Sequence, residues 1–208
     1  MKSHSSGQSG FPRIRLAALV ENGTYVLFGS QTAGCRTGEA TLANLVVDSI
    51  QEGMPCLADR HYFSHKRWTK AGKPGSALLW RVKAGMNLPC NQRPADGAYM
   101  SKIYRSTYDR RKDRKGVVVR VIEYTLEGVA DAQPMYRLLT TLLEPAQAPA
   151  NELAALCHER WEIETALDEL KTHPRGARIV LRSKTPELVR REVYGLLPAH
   201  FAIRGAYA

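Results

Sequence analysis

The sequence predicts a mixed α/β protein, and three observations carry that reading. Two β-rich runs meet at an Asn-Gly pair near the start, four strand-like runs crowd residues 75–143, and helical periodicities fill much of the rest. Strands that alternate with helices early and then cluster together point to a sheet with an appended, mostly antiparallel region.

The elements follow in order. PRIRLAALVE (12–21) and TYVLFGSQTA (24–33) flank Asn22-Gly23, a hairpin signal, because the favoured two-residue turns need positive φ. In TGEATLANLVVDSIQEG, Thr37 can cap a helix, Leu42, Leu45, Val46 and Ser49 fall near helical spacing, and Gly53 ends it. MPCLA (54–58) reads as a short buried strand whose end carries Asp59. Ser64 then opens a helix, SHKRWTKAG, stopped by Gly72.

Residues 75–143 hold SALLWRVKA, AYMSKIY, VVVRVIEYTLE and MYRLLTTLL, all strand-like, with the turn RPADG and the charged link YDRRKDRKG among them. Pro145 and Pro149, set among alanines, mark a linker. Asn151 is the expected cap of a long helix over 152–173, broken at His173-Pro174-Arg175-Gly176. Thr185, with Pro186 at the first helical position, starts a final helix to residue 197 or beyond.

Bulk composition narrows the function. The chain has 208 residues, 44% hydrophobic and 24% charged, which suits a folded domain with a real core. Its net charge of +10 favours a polyanionic partner, nucleic acid before membrane. MKSHSSGQSG lacks the apolar stretch of a signal peptide and reads as a disordered start over residues 1–10. No run reaches the ~20 apolar residues of a membrane span, and with no secretory segment the expected location is cytoplasmic. The four cysteines, Cys35, Cys56, Cys90 and Cys157, form no CxxC pair and read as reduced thiols. Cys56 with His61 and His65 matches no strong zinc spacing.

The stretch CHERWEIETALDELK (157–171) holds most of the chemistry. Projected at 100° per residue from Arg160, Glu164 falls at about 40°, Lys171 at about 20° and Cys157 at about 60°. Leu156, Ile163, Ala166, Leu167 and Leu170 fill the adjacent apolar sector. An ordinary amphipathic helix with an Arg160–Glu164–Lys171 ladder on its wet face accounts for this. The alternative is that Glu164 binds a metal beside Asp59 while Arg160 and Lys171 hold phosphate oxygens.

The spacing Arg160, three residues, Glu164, six residues, Lys171 resembles the signature of DDE transposases from bacterial insertion sequences. More narrowly it is similar to the insertion-sequence family four type, whose signature is Tyr-(2)-Arg-(3)-Glu-(6)-Lys. RWEIE, LRSKTPELVRREVYGLL, FPRIRLAALVE and LADR also resemble that family, in the right order. The resemblance implies a ribonuclease-H-like mixed sheet with a β insertion before the last catalytic helix. It divides the chain into a partial catalytic domain, 11–74 with 145–208, and an insertion, 75–144. Asp59 would match the second acid of the triad and Glu164 the third, both as catalytic residues and metal ligands. Arg160 and Lys171 would match the cations that contact phosphate, and Arg60, Arg182 and Lys184 join them as candidates. The implied cofactors are two Mg²⁺ or Mn²⁺ ions, and the implied substrate is double-stranded DNA at element ends.

Two departures accompany the resemblance. Cys157 stands at the signature's tyrosine, and His158 lies about 100° round the helix from it. The triad's first Asp is expected on a strand before FPRIRLAALVE, where only MKSHSSGQSG stands. Asp48 falls on the first helix, out of place, and Glu21 and Glu39 are the conceivable stand-ins. The expectation is therefore an N-terminally truncated transposase fragment lacking its first strand and first acid, and inactive in transposition. The alternative is a basic, non-catalytic DNA-binding or interfering module that partners a complete transposase, or associates with itself.

Further DNA-contact candidates are Lys102, Arg105, Arg110, Arg111, Lys112, Arg114 and Lys115, with Arg120 nearby and Tyr99, Tyr104 and Tyr108 interleaved. A solvated hairpin tip explains the same cluster. Arg13, Arg15, Arg81 and Lys83 lie on strands and read as partly structural, and Trp80 reads as core.

Overall fold

The computed structural model describes residues 14–24, 26–92, 94, 96–126, 133–159, 183 and 185–207. The chain divides into two compact units, Met1–Val46 with Glu162–Ala208, and Val47–Trp161. The strands of 75–143 share a unit and a sheet with the strand before Asp59.

The first unit starts with β1 (Ile14–Val20) antiparallel to β2 (Leu27–Gly34), as the Asn-Gly signal predicts, with an irregularity between Ala17 and Leu19. The turn is wider than two residues. Glu21 N–H donates to the Val26 carbonyl at 2.9 Å, and the Glu21 carboxylate accepts from Thr24 N–H at 2.7 Å. Helix α1 (Glu39–Val46) packs on both strands through Leu42, Ala43 and Val46, whereas Leu45 is exposed. Helix α5 (Pro186–Tyr207) packs on β2 and buries Val189 and Val193, one turn apart. Leu188 N–H meets Thr185 Oγ1 at 3.4 Å, which fits the expected cap.

The second unit is built on one five-stranded mixed sheet. Its strands are β3 (Pro55–Ala58), β4 (Ala77–Val82), β5 (Tyr99–Ile103), β6 (Val117–Tyr124) and β7 (Tyr136–Thr140), in the order β3-β4-β7-β6-β5. The β3–β4 pair is parallel and the other pairs antiparallel. The parallel pair needs a crossover, which α2 (His65–Ala71) supplies. Both α2 ends are as read from sequence: Ser64 Oγ accepts from Arg67 N–H at 3.2 Å, and Gly72 N–H donates to the Trp68 carbonyl at 2.8 Å.

Each sheet face has its own cover. On one, Leu79, Ile122 and Leu138 pack with Leu153 and Cys157 of α4 (Ala150–Glu159). On the other, Trp68 of α2 stands edge-on to Trp80, with centroids 5.4 Å apart, so Trp80 is core as expected. Side chains of this size each contribute about 1.5–3 kcal/mol when fully buried.

Three expectations are corrected here. Asn151 lies inside the first turn of α4, which begins at Ala150, and Leu153 N–H donates to the Pro149 carbonyl at 3.1 Å. The charged link after β5 contains a short helix, α3 (Thr107–Arg111), capped by Ser106, whose Oγ accepts from Asp109 N–H at 3.1 Å. The signal that could have found it is the capping-box pattern Ser106-Thr107-Tyr108-Asp109. Arg120, read with the surface cations, is wholly buried.

Candidate active site

Asp59 follows β3 directly, at the carboxyl end of the parallel pair. The turn after it is fixed by two contacts: Tyr62 N–H donates to the Asp59 carbonyl at 2.9 Å, and the buried Arg67 guanidinium donates to the Tyr62 carbonyl. Arg60 is half-buried within that turn.

The register fixes what faces Asp59. Ala58 pairs with Trp80, so one step further sets Asp59 beside Arg81. Arg81 Nη1 lies 3.8 Å from Asp59 Oδ1, both side chains being largely buried. Arg81 Nη2 donates to Gln133 Oε1 at 2.7 Å, and the guanidinium carbon stands 4.5 Å over the Tyr136 ring. Tyr136 in turn stacks on Tyr124, with centroids 5.2 Å apart. Burial first, then the Cys157 thiol beside it, push the Tyr124 phenol above its ordinary range. Alternation by two places residues 57, 59, 79, 81, 122, 124, 136 and 138 on one face, the face α4 covers. Cys157, at the signature's tyrosine position, is a core residue there. Leu153 and Cys157 are buried on α4 and Leu156 is half-buried against the same core, while Ile163, Ala166, Leu167 and Leu170 of the expected apolar sector lie outside the described residues.

Glu164, Arg160, Lys171, Arg182 and Lys184 lie outside the described residues. The stand-in acids are otherwise engaged or exposed. Glu21 closes its own turn, and its hydrogen bonds from Thr24 and Gly23 hold its carboxyl below the usual range. Asp48 pairs with Lys70 at 2.7 Å, and Glu39 is exposed in the first turn of α1. Among the described residues no group of three His, Cys, Asp or Glu side chains could hold a metal ion. Asp59 fits one oxygen-ligand position of a Mg²⁺ or Mn²⁺ ion, which takes about six ligands in all.

The basic stretch falls into two groups. Lys102 Nζ donates to Asp113 Oδ1 at 2.9 Å and Oδ2 at 2.8 Å, and Tyr104 adds a third bond at 2.7 Å. Those bonds, from Lys102 first, hold the Asp113 carboxyl below its usual range. Arg110 donates to the Asn87 carbonyl at 2.7 Å. Arg105, Arg111, Lys112, Arg114 and Lys115 are exposed. Asp113 and Lys115 adopt positive φ, 45° and 53°, which folds the chain tightly between α3 and β6. Sequence reasoning found the cations but could not sort those tied to the fold from those presented to solvent.

The family described as Transposase DDE domain matches residues 1–201. A curated relative, "Transposase InsG for insertion sequence element IS4" of Escherichia coli (strain K12), is 24% identical over 209 residues, covering 98% of this chain and 46% of its own length. The chain thus spans about half the length of that relative. A solved chain, from a cryo-EM structure of piggyBac transposase synaptic complex with hairpin DNA, aligns with TM-score 0.49 and 12% identity, covering 92% of this chain and 39% of that one. Among the described residues, no helix is long and apolar enough to cross a membrane.

Proposed function

Since the chain belongs to the transposase DDE domain family, we propose that it supplies part of a metal-dependent catalytic domain acting on DNA phosphodiesters, with a ribonuclease-H-like arrangement. The observation that carries this reading is the position of Asp59. It ends a strand of a parallel pair, on the sheet face covered by α4, whose sequence runs on towards Arg160 and Glu164.

In this reading Asp59 and Glu164 are ligands of Mg²⁺ or Mn²⁺. When bound, such ions activate water or a 3′ hydroxyl and stabilise the leaving oxygen. Attack forms a new P–O bond, the P–O3′ bond breaks, and the 3′ oxygen leaves. Arg160, Lys171, Arg60, Arg182 and Lys184 contact backbone phosphates, and the solvated cations after β5 extend that contact. Two acids leave a two-ion cage short of a ligand, so the chain by itself binds duplex DNA and does not cut it. Its place of work is the cytoplasm, on chromosomal DNA.

The test is Mg²⁺- and Mn²⁺-dependent cleavage of duplex element ends by the purified chain, beside Asp59→Asn and Glu164→Gln. Binding without cleavage is expected. Cleavage abolished by both substitutions would show a complete site and overturn the inactive reading. The exposed basic turn favours one second reading, a DNA-binding module that pairs with a complete transposase. That module lowers strand transfer by a full-length relative when the two are mixed, whereas a solitary fragment leaves it unchanged.

A further inference from the structure

Arg81 takes no part in the chemistry above, yet it is among the most constrained cations of the sheet. It sits opposite Asp59 in the parallel register, 3.8 Å from the carboxylate. Gln133 holds one nitrogen of the guanidinium and the Tyr136 ring supports its face. Tyr136 is backed by Tyr124. An arginine side chain ordinarily keeps much rotamer freedom, and here the buttress removes much of it.

We propose that Arg81 is the positioning residue of Asp59: a resident counter-charge that orients the carboxylate in the metal-free protein and that competes with a divalent cation for it. The proposal rests on the reading of Asp59 as a metal ligand. At 3.8 Å the contact is longer than a hydrogen bond, so the attraction is coulombic and Asp59 can turn to a cation without breaking a hydrogen bond to Arg81. Gln133 and Tyr136 keep the guanidinium in place while it does so. A doubly charged ion arriving at Asp59 then meets a fixed positive charge in a largely desolvated setting, where like charges repel more strongly than in water. Loading is consequently weak until further anionic ligands, such as a DNA phosphate oxygen, join the ion.

The test is a Mn²⁺ titration of the full chain, read from the electron paramagnetic resonance signal of the free ion. Arg81→Gln is expected to bind Mn²⁺ about tenfold tighter than the unmodified chain. Arg81→Lys keeps the charge and is expected to stay closer to the unmodified chain than Arg81→Gln does. Equal or weaker binding by Arg81→Gln overturns the proposal. Asp59→Asn separates the two readings. If it binds Mn²⁺ as the unmodified chain does, Asp59 is no ligand and both readings fall. If it weakens binding while Arg81→Gln changes nothing, only the Arg81 proposal falls. A second arm needs no metal: thermal unfolding of Asp59→Asn, Arg81→Gln and the double variant. Shifts in midpoint that fall short of additive are expected, and strictly additive shifts overturn the pairing.

Discussion

Arg120 Nη1 donates to the Ala148 carbonyl at 2.7 Å from a side chain with no exposed surface. The same guanidinium reaches the Leu142 carbonyl at 3.2 Å and pairs with the Asp96 carboxylate. One residue of β6 therefore ties the loop before β5 to the segment that leads into α4. Replacing it with Met strands Asp96 and two carbonyls in a nearly dry setting. Arg120→Met is expected to lose about 3–5 kcal/mol in urea unfolding, the usual cost of breaking a buried pair from one side. Adding Asp96→Asn is expected to recover part of that loss. A loss under about 1 kcal/mol would make the cluster incidental.

Local signals are legible where the chemistry is local. Ser64 and Gly72 bracket α2 because a hydroxyl that accepts an orphan N–H and a residue without Cβ are read from the residues alone. Asp59 at a strand end, and Trp80 as core, are equally readable. What escapes depends on pairing across the sheet. Nothing in the sequence sets Asp59 beside Arg81, since that follows from the register of β3 on β4. Nor does composition reveal that Arg120 is buried, or that Cys157 packs with Leu153 and borders Tyr124. α3 is hidden for a simpler reason: its charge suggests a solvated link and obscures the Ser106–Asp109 cap.

Ser64 offers a second check on how Asp59 is held. Ser64→Ala removes the cap of a seven-residue helix and is expected to cost about 1 kcal/mol. Ser64→Asp, which caps as well, is expected to restore stability, and chemical denaturation of the three chains decides it. A cost of zero would mean that the Arg67 contact to Tyr62 fixes this turn without help.

The basic turn makes a prediction about salt. Replacing Arg111, Lys112, Arg114 and Lys115 together with Gln leaves α3 capped and removes four exposed charges. Each phosphate that the variant no longer neutralises takes about 0.9 from the slope of log K against log salt. The quadruple variant is expected to bind duplex DNA more weakly, with a slope shallower by about two or more. Lys102→Gln is expected to change the slope less, because Lys102 is already held by Asp113. Equal effects would contradict that sorting.

Thiol labelling tests the burial of the signature position. Cys35 and Cys90 are exposed, Cys157 is buried, and burial pushes the Cys56 thiol upward, against its contact with Trp80. A thiolate-selective reagent at neutral pH is expected to react quickly at Cys35 and Cys90, slowly at Cys56 and Cys157. Mass mapping of the labelled sites gives the order. Rapid labelling of Cys157 in the folded chain would mean that it leaves the core.

Tyr99 gives a pH signature. Its hydroxyl donates to Glu123 Oε1 at 3.0 Å, and Arg137 joins Glu123 while bonding the Ala84 carbonyl at 2.6 Å and the Met86 carbonyl at 2.8 Å. Burial first, then the bond to Glu123, push the phenol from 10.0 up to about 12. The folded chain thus keeps this proton longer than the unfolded one. Stability from the group is whole below about pH 10 and falls as pH rises towards about 12. Tyr99→Phe cannot titrate, so the stability gap between the two chains is expected to narrow or change sign across that window. Denaturation at a series of pH values measures the gap, and a gap that stays constant from pH 9 to about 12 would show that the phenol titrates alike in both states.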